Sequence, residues 1–295
     1  MSIHVLYHSP CPDGTAAAAA VLLALGDKAT YHPTNYSNTK PEIPDGSEVY
    51  FVDFSWPRAD LDELAKRSKS VVVLDHHKSA ADALAHLSKP AAASYPIDLT
   101  AIFDQTRAGC QIAWDYFHPG TKRPWMIERI ADRDLWRFAL PETKKFAAWL
   151  QIQPSAIDSY GVMIRAMEVE TVREAVLDIG EALLGQQDAL VERINSHAYV
   201  TEIMGADGGN HDVIAVNTSL YPSEACDALL KATPWGVAAA WYQAKNGDVR
   251  WSLRARKGGV DVSAIAVHHG GGGHRAAAGF VVRYSSSMPK TEGDQ

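Results

Sequence analysis

Cysteine is scarce in this sequence: Cys11, Cys110 and Cys226 are the only three among 295 residues. Odd in number and far apart, they build no disulfide framework and read as the reduced thiols of a cytoplasmic protein. Long hydrophobic runs are missing too. No stretch reaches the ~18–20 uninterrupted apolar residues of a membrane span. The first residues, Met1-Ser2-Ile3-His4-Val5, lack the basic-then-apolar order of a signal peptide. Basic charge is in short supply, with 28 Lys and Arg against 35 Asp and Glu and a net charge of −7. That excludes a protein that coats long nucleic acid by neutralising many phosphates, although a local basic strip still suits a short nucleotide. No internal repeat or low-complexity tract is present. What remains is a cytoplasmic globular chain, 46% apolar, of a length comfortable for two domains.

The first half alternates strand and helix. Ile3 to Tyr7 reads as a buried strand, His8 to Gly14 as a turn, and Thr15 to Leu25 as an alanine-rich helix ended by Gly26. Residues 32–47, rich in Pro, Asn and Ser, read as a loop. Glu48 to Phe54 and Val71 to Leu74 are further strands, with a helix opened by Pro57 between them. This alternation predicts a parallel sheet flanked by helices. Helices follow at 106–118 and 124–137, and residues 155–204 read as a helical connector. The turn-rich Gly205 to Asn210 marks the expected boundary. We therefore expect an α/β fold with an N-terminal domain plus connector over 1–204, a smaller α/β domain over 205–286, and a tail at 287–295. In the smaller domain Asn246-Gly247 signals a hairpin. After it, Val249, Trp251, Leu253 and Ala255 alternate with Arg250, Ser252, Arg254 and Arg256, which places the arginines and the serine on one face.

Polar residues gather where the first three strands end: His8 to Asp13, Asp53, and Asp75-His76-His77. Ligands of parallel sheets collect at those strand ends. Buried imidazoles and carboxylates in a row cost desolvation and gain no packing, whereas they are common ligands for divalent metals. The set is large enough for two ions sharing one carboxylate, the apparatus that hydrolyses phosphate esters. A second signal lies far along the chain, in Gly270-Gly271-Gly272-Gly273-His274. Four glycines let backbone N–H groups approach a phosphate closely, and the apolar continuation from Ala276 to Val282 is unlike a flexible linker.

Asp75-His76-His77, with Gly270 to His274 and Ala277-Ala278-Gly279-Phe280, resembles the DHH/DHHA1 phosphoesterase superfamily across nearly the whole chain. The resemblance implies an α/β DHH domain joined through helices to a smaller DHHA1 domain, with the active site in the cleft between them. By motif it makes Asp53 the bridging carboxylate, places Asp13, His76 and a fourth-motif aspartate around one metal, and gives His8 to the other. It sets His77 against the scissile phosphate. The fourth-motif residue lies in Ile130-Ala131-Asp132-Arg133-Asp134-Leu135-Trp136. Residues two apart on a helix face different ways, so at most one of the two aspartates reaches the metals, and Asp132, after the apolar pair, is the expected one. Cys11 departs from the pattern by standing where an aspartate is usual, and it joins the candidate ligands. Ser252, Arg254, Gly271, Gly272, Gly273 and His274 are the expected substrate-binding residues.

The implied activity is a two-metal phosphodiesterase that cleaves short oligonucleotides or linear dinucleotides to nucleoside 5′-monophosphates. Asp53 and His77 are its catalytic residues and two Mn2+ ions its cofactors, with Mg2+ the other candidate. The expected partners are short nucleic acids rather than long duplex or membrane, and a homodimer is compatible. The alternatives are a single-strand exonuclease, an adenosine bisphosphate phosphatase, and a catalytically weak nucleotide-binding regulator.

Overall fold

The computed structural model describes residues 2–35, 39–85, 98–206 and 208–283. The tail expected at 287–295 lies outside them. The chain divides into two compact units, Met1–Gly185 and Gln186–Gln295. No helix among the described residues is long and apolar enough to cross a membrane.

The first unit runs β1 (Ile3–His8), α1 (Pro12–Leu25), β2 (Ala29–Thr34), β3 (Glu48–Val52), α2 (Arg58–Arg67), β4 (Ser70–Asp75), α3 (Lys78–Ala83) and β5 (Asp98–Phe103). There follow α4 (Gly109–Phe117), α5 (Trp125–Asp134), α6 (Thr143–Leu150), α7 (Ile157–Ala166) and α8 (Glu170–Asn195), and the division between units falls inside α8. Its five strands are all parallel in the order β2-β1-β3-β4-β5. A strand buried on both faces must be apolar on both. Accordingly Val5, Tyr7, Val72 and Leu74 face one core, while Leu6, Val71 and Val73 face the other. The run Ala16–Ala20 is fully buried. Its small side chains let α1 lie close against α4 and α7. Strand order switches at β1, with β2 added on one side of it and β3 on the other, and in such a sheet the crevice at the carboxyl ends of β1 and β3 is the natural ligand site.

Two edge strands depart from the sequence reading. β2 extends to Thr34, into the stretch expected as loop, and β5 was not anticipated. Pro33 argued against a strand, yet prolines are tolerated on sheet edges, and β2 is one of the two edge strands.

The second unit adds β6 (Tyr199–Met204), β7 (Asn210–Asn217), α9 (Pro222–Ala232), β8 (Val237–Gln243), β9 (Val249–Ala255), α10 (Val262–His268), β10 (Gly272–His274) and β11 (Ala277–Val282). Its six strands are ordered β10-β11-β9-β8-β7-β6. The expected boundary at 205 differs from this division. Tyr199–Met204, read as the end of a helical connector, pairs antiparallel with β7 and belongs to the second sheet. The Asn246-Gly247 hairpin forms as expected, with Gly247 at φ 89° and β8 and β9 antiparallel on either side.

Candidate functional site

The carboxyl ends of β1, β3 and β4 bring His8, Asp53, Asp75, His76 and His77 together. Asp53 follows β3 in a left-handed conformation, φ 54°, and its N–H donates to Leu74 O at 2.9 Å. Asp13 lies in the first turn of α1. Its two oxygens accept from the N–H groups of Gly109 (2.7 Å) and Cys110 (2.9 Å) at the start of α4, where a helix terminus favours negative charge. Two glycines let the backbone come this close. A Cβ on Gly109 would stand 2.5 Å from Asp53 Cβ, and one on Gly14 would stand 2.2 Å from His8 O.

His76 occupies the middle. Its Nε2 lies 3.1 Å from Asp53 Oδ1, 3.4 Å from Asp13 Oδ2 and 3.6 Å from Asp134 Oδ2. His8 Nδ1 stands 3.5 Å from Asp53 Oδ2. Asp75 is a positioning residue, fully buried, whose Oδ1 accepts from His76 N (2.7 Å), His77 N (3.2 Å) and His77 Nδ1 (2.7 Å). The sequence flagged it within the Asp-His-His run but gave it no role of its own.

Charge is crowded here. Burial alone would raise the Asp53 carboxyl, but His76, His8 and His77 outweigh it and hold Asp53 well below the usual carboxylate range. Burial, with Asp53 and Asp134 alongside, pushes Asp13 well above its usual value, and burial also raises Asp134. Burial would lower both imidazoles. Instead Asp53, Asp134 and Asp13 bring His76 up to about 10, and Asp75 and Asp53 bring His77 up to about 9.

The donor set fits divalent cations. Both Asp53 oxygens and Asp134 Oδ2 are buried and without a hydrogen-bond partner among the described residues, although His76 Nε2 lies 3.1 Å from Asp53 Oδ1. Buried acceptors in that state are costly unless something positive meets them. Two sets of ligand atoms, His8 with Cys11 and Asp53, and Asp13 with His76 and Asp134, each lie within 4.8 Å of one another.

One expected residue is displaced from the cluster. Asp132, the expected fourth-motif ligand, points to the following loop instead. Its oxygens accept from Ala139 N (2.9 Å), Leu140 N (3.1 Å) and Thr143 Oγ1 (2.7 Å). Asp134, at the end of α5, takes the place beside His76. The helical argument that only one of the pair reaches the centre holds. The choice between them turned on the backward bend of the chain, marked by positive φ at Trp136 and Phe138, which the sequence did not reveal.

In the second unit, the registers Arg254↔Ala277↔His274 and Ser252↔Gly279↔Gly272 align three strands. Directly paired residues share a face, so Arg254, Ser252 and His274 lie on one side. The level of Ser252 is flanked there by two glycines without side chains. Arg254 Nη2 donates to Ser223 Oγ at 2.5 Å, in the first turn of α9. Arg256 donates to the carbonyls of Leu230 and Thr233 and so closes the end of α9. The glycine run is less open than its composition suggested. Gly270 N and Gly271 N donate to Val267 O (2.9 Å) and Ala266 O (2.7 Å), capping α10. A Cβ on Gly271 would stand 2.1 Å from Gly279 O. Gly271 therefore serves the turn, and its N–H is not available to a phosphate.

Two family models match the chain. The model of the DHH family N-terminal domain matches residues 2–135, and that of the DHHA1 domain matches residues 222–291. An uncharacterised protein of Acanthamoeba polyphaga mimivirus is 29% identical over 94% of this chain, which spans 66% of that relative's length. Among solved structures, a pGpG-specific phosphodiesterase from Vibrio cholerae is similar at TM-score 0.45 and 12% identity, over 96% of this chain and 93% of its own. An exopolyphosphatase-related protein from Bacteroides fragilis is similar at TM-score 0.43 and 12% identity, over 97% and 87%. With both domain models matched in order and an acidic, imidazole-rich centre at the ends of its parallel strands, the chain belongs to the DHH/DHHA1 superfamily of metal-dependent phosphoesterases.

Proposed function

We propose that this protein is a phosphodiesterase that hydrolyses short oligonucleotides or linear dinucleotides to nucleoside 5′-monophosphates. The observation that carries the reading is Asp53, a fully enclosed carboxylate whose two oxygens face His8 on one side and His76 on the other. Asp13, His76 and Asp134 would hold one divalent cation, His8 the other, and Asp53 both, with Mn2+ the leading candidate and Mg2+ the second. When bound, the cations supply Lewis-acid activation of the attacking water and neutralise charge at the reacting phosphate. Asp13 is fixed by the start of α4, so it needs no reorientation. Asp75 engages His77 Nδ1, which in this reading turns Nε2 to the substrate and keeps that imidazole protonated as donor to a phosphate oxygen or the leaving group. Ser252, Arg254 and His274, beside the side-chain-free level of Gly272 and Gly279, bind the substrate's non-reacting phosphate or sugar. Arginine's planar fork suits phosphate.

The modest basic equipment of an acidic chain favours short substrates. The test is a length series from dinucleotide to decanucleotide, with adenosine bisphosphate beside it, incubated with Mn2+ and read by product identity. Nucleoside 5′-monophosphates from the shortest substrates, lost in Asp53→Ala, are expected. Tight binding without turnover under every divalent metal would replace the reading with that of a nucleotide-binding regulator.

A further inference from the structure

The three cysteines occupy unlike surroundings. Cys110 and Cys226 are core residues, packed among aliphatic side chains in the first and second units. Cys11 belongs to no apolar cluster. It sits at the N-cap of α1, a position where Ser, Thr, Asp or Asn would bond the first-turn N–H groups, and its side chain makes no such bond. Its sulfur instead lies with a His8 ring nitrogen and an Asp53 oxygen, the three within 4.8 Å of one another. Asp53 is 1% exposed, and neither of its oxygens accepts a hydrogen bond among the described residues. A thiol at a helix start, beside a buried carboxylate and an imidazole, contributes neither capping nor apolar packing. Metal coordination uses all three groups.

The second donor set differs in kind. Asp13, His76 and Asp134 offer two carboxylates and one imidazole, the hard, oxygen-rich combination that suits manganese or magnesium. His8, Cys11 and Asp53 offer nitrogen, sulfur and oxygen, and a thiolate selects softer or borderline cations such as zinc, cobalt(II) or iron(II). We propose that the two halves of the centre select different metals, with Cys11 as a thiolate ligand that gives the His8 half a preference for a zinc-class cation while the Asp134 half takes manganese or magnesium. This rests on the two-metal reading above and adds to it the identity of the ions. Coordination replaces the thiol proton, so filling the His8 half releases one proton to solvent.

The test is titration of metal-free protein with Co2+ alone, followed by absorption spectroscopy and equilibrium dialysis. A thiolate-to-cobalt charge-transfer band in the near ultraviolet is expected in the natural protein. It should be lost in both Cys11→Ser and Cys11→Asp, while the weak visible cobalt bands persist. Offered one equivalent of Zn2+ with Mn2+ in large excess, the natural protein should retain one of each, because zinc outcompetes manganese at most sites unless it is limiting. Cys11→Asp should retain mainly Mn2+, its zinc affinity falling by about 10–100-fold, the range for losing even a ligand's hydrogen-bond partner. Alkylation of Cys11, read by mass spectrometry, should be blocked by Zn2+ and not by Mg2+, which serves should a variant fold poorly. Cobalt bound without the charge-transfer band, or a band that survives both substitutions, would overturn the role of Cys11 and leave the two-metal centre standing. Failure to bind any cobalt would overturn the centre itself and this proposal with it.

Discussion

Asp132 and Asp134 are chemically identical and two positions apart, and the fold gives them opposite work. Asp132 ties the loop after α5 with three hydrogen bonds, and Asp134 joins the imidazole cluster. The two substitutions should therefore separate stability from activity. Asp132→Ala should lower unfolding free energy by about 2–3 kcal/mol, the scale for removing a buried charged acceptor from its donors, while the folded fraction keeps its turnover. Asp134→Asn should leave the urea midpoint nearly unchanged and abolish hydrolysis. A reversal of that pattern would return the ligand role to Asp132. At this scale the sequence was legible wherever a strand end dictates position. His8, Asp53, His76 and His77 follow directly from parallel strands ending together. It was illegible where the outcome hung on a loop's backbone. Asp132 faces the loop because the chain turns back at Trp136 and Phe138, and no side-chain pattern announces positive φ at such bulky residues.

Among the elements, α4 matters most to the centre, since its first two amides hold Asp13 and its first residue touches Asp53. Gly109→Ala would drive a methyl group into Asp53. Overpacking of that kind costs about 1–3 kcal/mol, and misplacement of reacting groups by ~1 Å costs about a hundredfold in rate. Stopped assays should thus show a near-inactive protein that still unfolds cooperatively. The approach to α4 is fixed by Asp104, which accepts from Thr106 Oγ1 (2.6 Å), Thr106 N (2.8 Å) and Arg107 Nε (2.6 Å). The Thr106 hydroxyl first, then Arg107, bring its carboxyl down to about 2. Because the folded value lies below the unfolded one of ~3.9, this group stabilises above about pH 4 and loses its contribution as pH falls toward 2. Urea midpoints of the natural protein and Asp104→Asn should differ at pH 6 and converge near pH 2. Strands in the sheet interior were readable from their unbroken apolar runs. β5 is a short edge strand that opens on Asp98 and Thr100, and β6 follows α8 after only Ser196, His197 and Ala198, so pattern alone concealed both.

For the molecule as a whole, two sheets each bury two apolar faces, and a net charge of −7 surrounds them. An acidic body with few phosphate-binding cations should bind nucleic acid with a shallow salt dependence. If about two phosphates are neutralised, the logarithm of affinity should fall with that of salt at a slope near −1.4 for a single strand. Fluorescence anisotropy with a labelled di- or trinucleotide across a salt series measures it. A slope several times steeper would point to a long-strand exonuclease. The overall α/β character and the order of the two domains were legible because helix and strand periods differ so plainly. The limits of the second unit were not, because β6 completes a sheet whose other strands lie later in the chain.

The edge strand β2 of the first sheet has one further consequence. Thr34 O accepts from Ser9 N, so Thr34 turns its peptide groups inward and, by alternation along a strand, Pro33 turns outward. Proline carries no amide hydrogen. A stray strand from another molecule, sliding alongside β2, would find a missing rung at that level, and open margins protected in this manner resist templated aggregation.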